Sequence, residues 1–151
     1  MDALPEGRER RLSLRLLNYW RDQAAGRPFP RFTDIDGGAI ADMWTQCFVL
    51  DCRVPGEPAF AYIGPSFEEW AGARFGGQPV SAAPKDNLLG IGAGFYGQVL
   101  RKKVPITMGG EFVDAQGRMI QYRSIICPLS EDGETIDHLL GGANCRVMPA
   151  A

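Results

Sequence analysis

The chain is short of the residues that metal and acid–base chemistry draw on. It holds one histidine, His138, in 151 residues, and its four cysteines include no Cys-x-x-Cys pair. Closely spaced thiols and imidazoles therefore cannot assemble a zinc or iron–sulfur ligand set, and no metal site is expected. Cys47, Cys52, Cys127 and Cys145 all fall inside apolar, strand-like runs, which is where reduced, buried thiols belong. Long hydrophobic runs are missing too: nothing approaches the ~20 apolar residues that span a bilayer. The opening residues, Met-Asp-Ala-Leu-Pro-Glu-Gly, lack the basic-then-apolar order of a secretory signal. The expectation is a cytoplasmic protein without a membrane span.

No excess of one charge dominates, since the formal net charge is −2, but the distribution is uneven. Residues 1–31 hold seven arginines against four acids, and the remainder holds nine bases against fourteen acids. The two parts can attract each other. No aromatic-and-basic interleaving accompanies the basic segment, so a solvated helix face is expected there and no nucleic-acid partner. At 151 residues and 45% hydrophobic content the chain can bury one solid core but is too short for two ordinary domains.

Periodicity then orders the chain. Leu12, Leu16, Leu17, Tyr19 and Trp20 fall on one broad arc, flanked by Arg8, Arg11 and Arg15, which predicts a helix over 8–25. Pro28 and Pro30 force an extended passage after it, so 1–33 reads as an N-terminal helix with its linker and 34–151 as the main domain. A short helical piece is predicted over 36–43. Strands over 45–53 and 59–64 form a hairpin around Val54-Pro-Gly-Glu-Pro58. A short helix over 66–73, a Gly/Pro-rich passage over 76–84 and a long helix over 87–103 follow, the last with Leu88, Ile91, Phe95 and Val99 on one face. Three strands over 105–113, 118–128 and 135–147 close the chain, with Gly117 and Gly133 in the intervening turns. The fold class is α+β.

Two strands, helices, three strands resembles the PAS fold: a five-stranded antiparallel sheet with helices on one face, here with an extra N-terminal helix. More narrowly the chain resembles the stand-alone PAS-like proteins of alphaproteobacteria. The likeness is carried by Leu17-Asn-Tyr-Trp-Arg21 followed by Gly26-Arg-Pro-Phe-Pro-Arg31, by Asp34-Ile-Asp36, Cys47-Phe-Val-Leu-Asp51 and Phe60-Ala-Tyr-Ile-Gly64, and by the run from Cys127-Pro-Leu-Ser130 to Leu140-Gly141. One departure is Gly64-Pro65-Ser66, where the family usually places a Gly-Thr pair; Ser66 can still cap a helix. The resemblance implies a regulatory module that senses a small molecule or presents a docking surface, often as a dimer, and catalyses nothing.

Two motifs are set aside. Gly92-Ala-Gly-Phe-Tyr-Gly97 matches G-x-G-x-x-G, but it lies inside a predicted helix rather than between a strand and a helix. Four glycines in that helix, Gly90, Gly92, Gly94 and Gly97, call for close packing on the sheet, room for a ligand, or a local break near Gly90. Gly142-Ala-Asn-Cys-Arg146 echoes the stretch by which light-sensing PAS relatives hold flavin, but it stands on the last strand instead of a mid-domain helix. Haem-binding relatives supply histidine from the long helix, which has none here. Neither flavin nor haem is expected.

Period-two alternation proposes the walls of a pocket between sheet and long helix. Ile106, Met108, Gly110 and Phe112 share one face, as do Leu139, Gly141, Ala143, Cys145 and Val147. Small residues in the last set either leave a cavity or admit bulky aromatics, and a filled core is the preferred reading. The candidate ligand-binding set is Trp70, Phe95, Tyr96, Met108, Phe112, Arg123 and Cys145. Gln121 and Arg123 can anchor an anion or simply face solvent. Leu14, Leu17 and Trp20 are candidate interface residues, because the N-terminal arc is wide enough to need cover from its own sheet or from a second chain. The expected function is a sensory module acting through protein–protein contacts, as a homodimer with a signalling protein partner, with or without a small ligand. The alternative is a small-molecule enzyme or carrier in which Tyr96, Arg123 and His138 converge on one cavity.

Overall fold

The structure, a computed structural model, describes residues 6–149, and side chains from residue 11 onward. Arg8, which flanks the N-terminal arc, lies outside the described side chains. Five strands, β1 (Cys47–Asp51), β2 (Ala59–Ile63), β3 (Ile106–Val113), β4 (Met119–Leu129) and β5 (His138–Val147), form one sheet in the order β2-β1-β5-β4-β3. Every adjacent pair is antiparallel. The last strand begins at His138 rather than at residue 135, because 130–135 is held as a turn: the Ser130 hydroxyl donates to the Thr135 carbonyl (2.6 Å) and Asp132 accepts from the backbone of Glu134 and Thr135.

Register assigns the two faces. Phe48 pairs with Gly141, Ser124 with Ala143, Tyr122 with Cys145 and Phe112 with Ile120, so these side chains share what we term the inner face. Cys47, Gly142, Ile125, Cys127, Arg123 and Thr107 share the outer face. The middle of the chain covers the inner face. Helix α3 (Leu88–Ala93) is capped by Asn87, whose side chain accepts from the Leu89 N–H and donates to the Trp70 carbonyl.

The long helix expected over 87–103 is broken into α3 and a helix over Tyr96–Lys102. The break falls at Gly94 and Phe95, and not at Gly90. Close packing explains the neighbouring glycines. A Cβ at Gly90 would overlap the Pro84 carbonyl, one at Gly92 would stand 3.1 Å from the Ala143 Cβ, and the Gly92 carbonyl accepts from the Ser124 hydroxyl (2.6 Å). The short helix expected over 66–73 resolves into two 3-10 turns, Pro65–Trp70 and Gly72–Phe75, separated by Ala71 in the left-handed region (φ 58°). The helical piece expected over 36–43 shrinks to a single turn, α2 (Ala41–Trp44).

Helix α1 (Glu6–Ala24) lies on the outer face, opposite α3, so the sheet is covered on both sides. Leu12, Leu16 and Trp20 are buried against it, and a Cβ at Gly142 would meet Leu16 at 3.1 Å. The Trp20 indole N–H donates to the Pro128 carbonyl (2.7 Å). Arg27 ends the helix by donating to the carbonyls of Ala24 and Gln23. The linker is then fastened to the end of β4 and to α1: the Ser130 N–H donates to the Pro30 carbonyl (3.0 Å), Arg31 pairs with Glu131 (3.1 Å), and the Asp36 N–H donates to the Tyr19 hydroxyl (2.8 Å).

Candidate functional site

The chamber between the inner face and α3 is occupied by rings. Phe48 is fully buried and sits edge-on to Phe60 (6.5 Å) and Phe67 (6.1 Å). It lies over Gly141, where any Cβ would overlap the ring. Trp70, Phe112 and Tyr122 form a second cluster, with centroids 5.9 and 5.8 Å apart. Burial pushes the Tyr122 hydroxyl above its ordinary range.

The structure brings together only part of the candidate set. Trp70 and Phe112 touch. Met108 shares their face but is half-buried on the edge strand β3. Cys145 faces inward yet lines an open cleft of about 230 Å³ with Ser66, Glu69 and Trp70. Phe95 and Tyr96 lie at the helix break, and Tyr96 joins Glu57, Ser81 and Lys85 around a separate cleft of about 260 Å³. Its hydroxyl is pushed up by burial and then by Glu57 and Cys52. Arg123 does not belong to the chamber: it projects from the outer face, its guanidinium 3.4 Å from where a Gly109 Cβ would stand.

Phe48, Phe60, Phe67 and Tyr122 are absent from the candidate set. The signal for Tyr122 is present in the sequence, because the Asp114–Gly117 turn fixes the register of β4 against β3. One residue of slip exchanges Arg123 for Tyr122. Trp20, a candidate for an interface between chains, is buried in its own chain. Leu17 is half-buried and Leu14 is 57% exposed.

His138 is 7% exposed. Its Nδ1 lies 2.8 Å from Asp137 Oδ1, its Nε2 lies 3.9 Å from Asp51 Oδ1, and its ring stacks on Phe32 at 4.4 Å. Hydrogen bonds from Arg53 hold Asp51 at about 2. The half-buried Cys52 thiol is pushed up to about 12 by burial and by the carboxylates of Asp51 and Asp137, the reverse of nucleophile activation. Burial likewise raises Cys47, to about 12, and Cys127. The expectation of four buried thiols holds for Cys47 and Cys127, while Cys52 and Cys145 are half-buried. Tyr96, Arg123 and His138 do not converge: Arg123 lies six residues along β4 from Leu129, the partner of His138, and Tyr96 is on the other side of the sheet. Among the described residues no group of three or more His, Cys, Asp or Glu could hold a metal ion, and no helix is long and apolar enough to cross a membrane.

A family model described as PAS domain matches residues 8–143. No curated protein matches. Solved structures share the fold at low identity. A light-oxygen-voltage (LOV) domain whose description names a flavin analogue is 15% identical, with TM-score 0.53, covering 74% of this chain and 83% of that one. The dark-state LOV domain of the photoreceptor Aureochrome1 is 13% identical, with TM-score 0.51, covering 71% and 79%. The Rhodobacter sphaeroides LOV protein is 12% identical, with TM-score 0.50, covering 70% and 61%.

These neighbours contradict the expectation against flavin, since one of them is described with a flavin analogue. The position of Asn144-Cys145-Arg146 is not sufficient ground to set flavin aside when LOV domains share the fold over 70–74% of this chain. The residues now in the chamber do not fit an isoalloxazine as they stand, since Phe48, Trp70 and Phe112 occupy it. A flavin would have to displace these rings.

Proposed function

The chain belongs to the PAS domain family, and on that premise we propose that it is a non-catalytic regulatory module of the cytoplasm that acts through protein contacts as a homodimer. The observation that carries this reading is that the family match runs through α1 as well as the sheet. A helix fastened to the outer face by Trp20 leaves one edge uncovered, with Leu14 at 57% exposure, and a second chain is the simplest cover for that edge. Dispersal of Tyr96, Arg123 and His138 weighs against the enzyme or carrier reading. Cys47 and Cys127, held as buried thiols, suit a reducing compartment.

A small ligand would act by displacing rings of the inner chamber, and flavin enters as one such ligand through the LOV neighbours. Native mass spectrometry of freshly purified protein, compared with its denatured mass, reports both parts. Twice the 16.5 kDa chain mass is expected, and any excess identifies the ligand. A monomer at all concentrations would rule out the dimer.

A further inference from the structure

Arg123 is the one residue of the candidate ligand-binding set that the structure places on the outer face of the sheet, and there it lines a groove. Between α1 and β3 on the outer face lies a cleft of about 220 Å³ lined by Ser13, Leu14, Leu17, Thr107 and Arg123. Its walls are mainly apolar: Leu14 projects into solvent and Leu17 is half-buried beside it. Gly109 keeps the floor flat, so the Arg123 guanidinium lies along the sheet instead of standing out from it. Among the described residues, no carboxylate, carbonyl or hydroxyl pairs with that guanidinium. Other arginines of the chain are engaged: Arg15 with Asp42, Arg118 with Asp114, and Arg146 with Gln121.

A half-buried guanidinium without a partner, flanked by two hydroxyl side chains and an apolar wall, is complementary to a carboxylate carried on an apolar body. We infer that this groove binds a small amphiphilic monocarboxylate, with the carboxylate on Arg123 and the hydroxyls of Thr107 and Ser13 and the hydrocarbon on Leu14 and Leu17. The volume falls below the ~300 Å³ at which drug-sized pockets begin, so the body is short. The groove does not depend on the dimer. In a monomer it is open; in a dimer built on Leu14, ligand and second chain compete for it.

The test is an NMR titration of the full chain with octanoate, with octanol and acetate as the neutral and tail-less counterparts. Saturable shifts at Ser13, Leu14, Leu17, Thr107 and the Arg123 Nε–H are expected with octanoate, and weaker binding with either counterpart. Arg123→Gln should lower octanoate affinity roughly 10- to 100-fold, the range for losing a charge-assisted contact, and leave octanol binding unchanged. Equal binding of octanol and octanoate would overturn the inference. So would shifts confined to the inner chamber, or no saturation. These comparisons on the wild-type chain decide the question even if the variant does not fold. A monomeric protein that binds octanoate would contradict the dimer and leave the site standing.

Discussion

Gly141→Ala tests how the inner chamber is filled. The substitution adds one methyl group at a position where the Phe48 ring already lies. The ring cannot retreat, because it is fully buried and held edge-on between Phe60 and Phe67. In an uncrowded strand, Gly→Ala would stabilise by roughly 0.5–1 kcal/mol through reduced chain entropy. Overpacking a tight core opposes this with about 1–3 kcal/mol. Overpacking outweighs the entropic gain, and a net loss of about 1–2 kcal/mol follows. At ~2–4 °C per kcal/mol for a chain of this size, Tm should fall by roughly 2–8 °C. Guanidinium denaturation followed by tryptophan fluorescence measures the loss directly. A Phe48→Leu variant, destabilised by less than the ~3–5 kcal/mol of a Phe→Ala change, makes room at the same spot. The double variant should be more stable than the sum of the two single losses by about 0.5–3 kcal/mol. A neutral Gly141→Ala, or strict additivity with Phe48→Leu, would refute a chamber closed by Phe48 over Gly141.

Trp20→Phe keeps the apolar contact of α1 but leaves the buried Pro128 carbonyl without its donor, so a loss of about 1–3 kcal/mol is expected in the same denaturation assay. Asp51 is held at about 2 by its hydrogen bonds from Arg53. Its stabilising contribution is complete above the ordinary carboxylate value of ~3.9 and is lost as pH falls through the folded value. Asp51→Asn should therefore flatten the stability profile between pH ~4 and ~2 and leave its slope above neutrality unchanged, as measured by Tm against pH. Cys47 and Cys127, fully buried with their thiols pushed upward, should resist a thiol reagent at pH ~8 until the protein unfolds. Labelling of either in the native state would contradict a closed core around them.

The sheet is legible in the sequence because each strand is an apolar run set off by its own turn residues, such as Gly117 with φ 79° and Gly133 with φ 82°. Its helical cover is less so. Gly90, Gly92 and Gly94 are visible as a weakness, but the position of the break depends on contacts with Pro84, Ala143 and Ser124, which periodicity within the helix does not reveal. The 3-10 character of 65–75 depends on Ala71 adopting a left-handed conformation, which its side chain does not advertise. Within the candidate site, Trp70 and Phe112 are identified by face and size. Arg123 falls on the wrong side in a reading by composition, because the faces of β4 follow from its register with β3 and composition alone does not fix that register. The arc of α1 shows plainly that it needs cover. Only the tertiary structure shows that Leu12, Leu16 and Trp20 receive it from their own sheet while Leu14 does not.

Sedimentation velocity on wild-type protein and on Leu14→Glu, across micromolar concentrations, bears most directly on regulation through contacts between chains. Leu14 is 57% exposed in the single chain, so the substitution should leave the fold of each chain intact. A dimer is expected for the wild type and a monomer for Leu14→Glu. A wild-type monomer, or a dimer that persists unaltered in the variant, would show that α1 does not carry the interface.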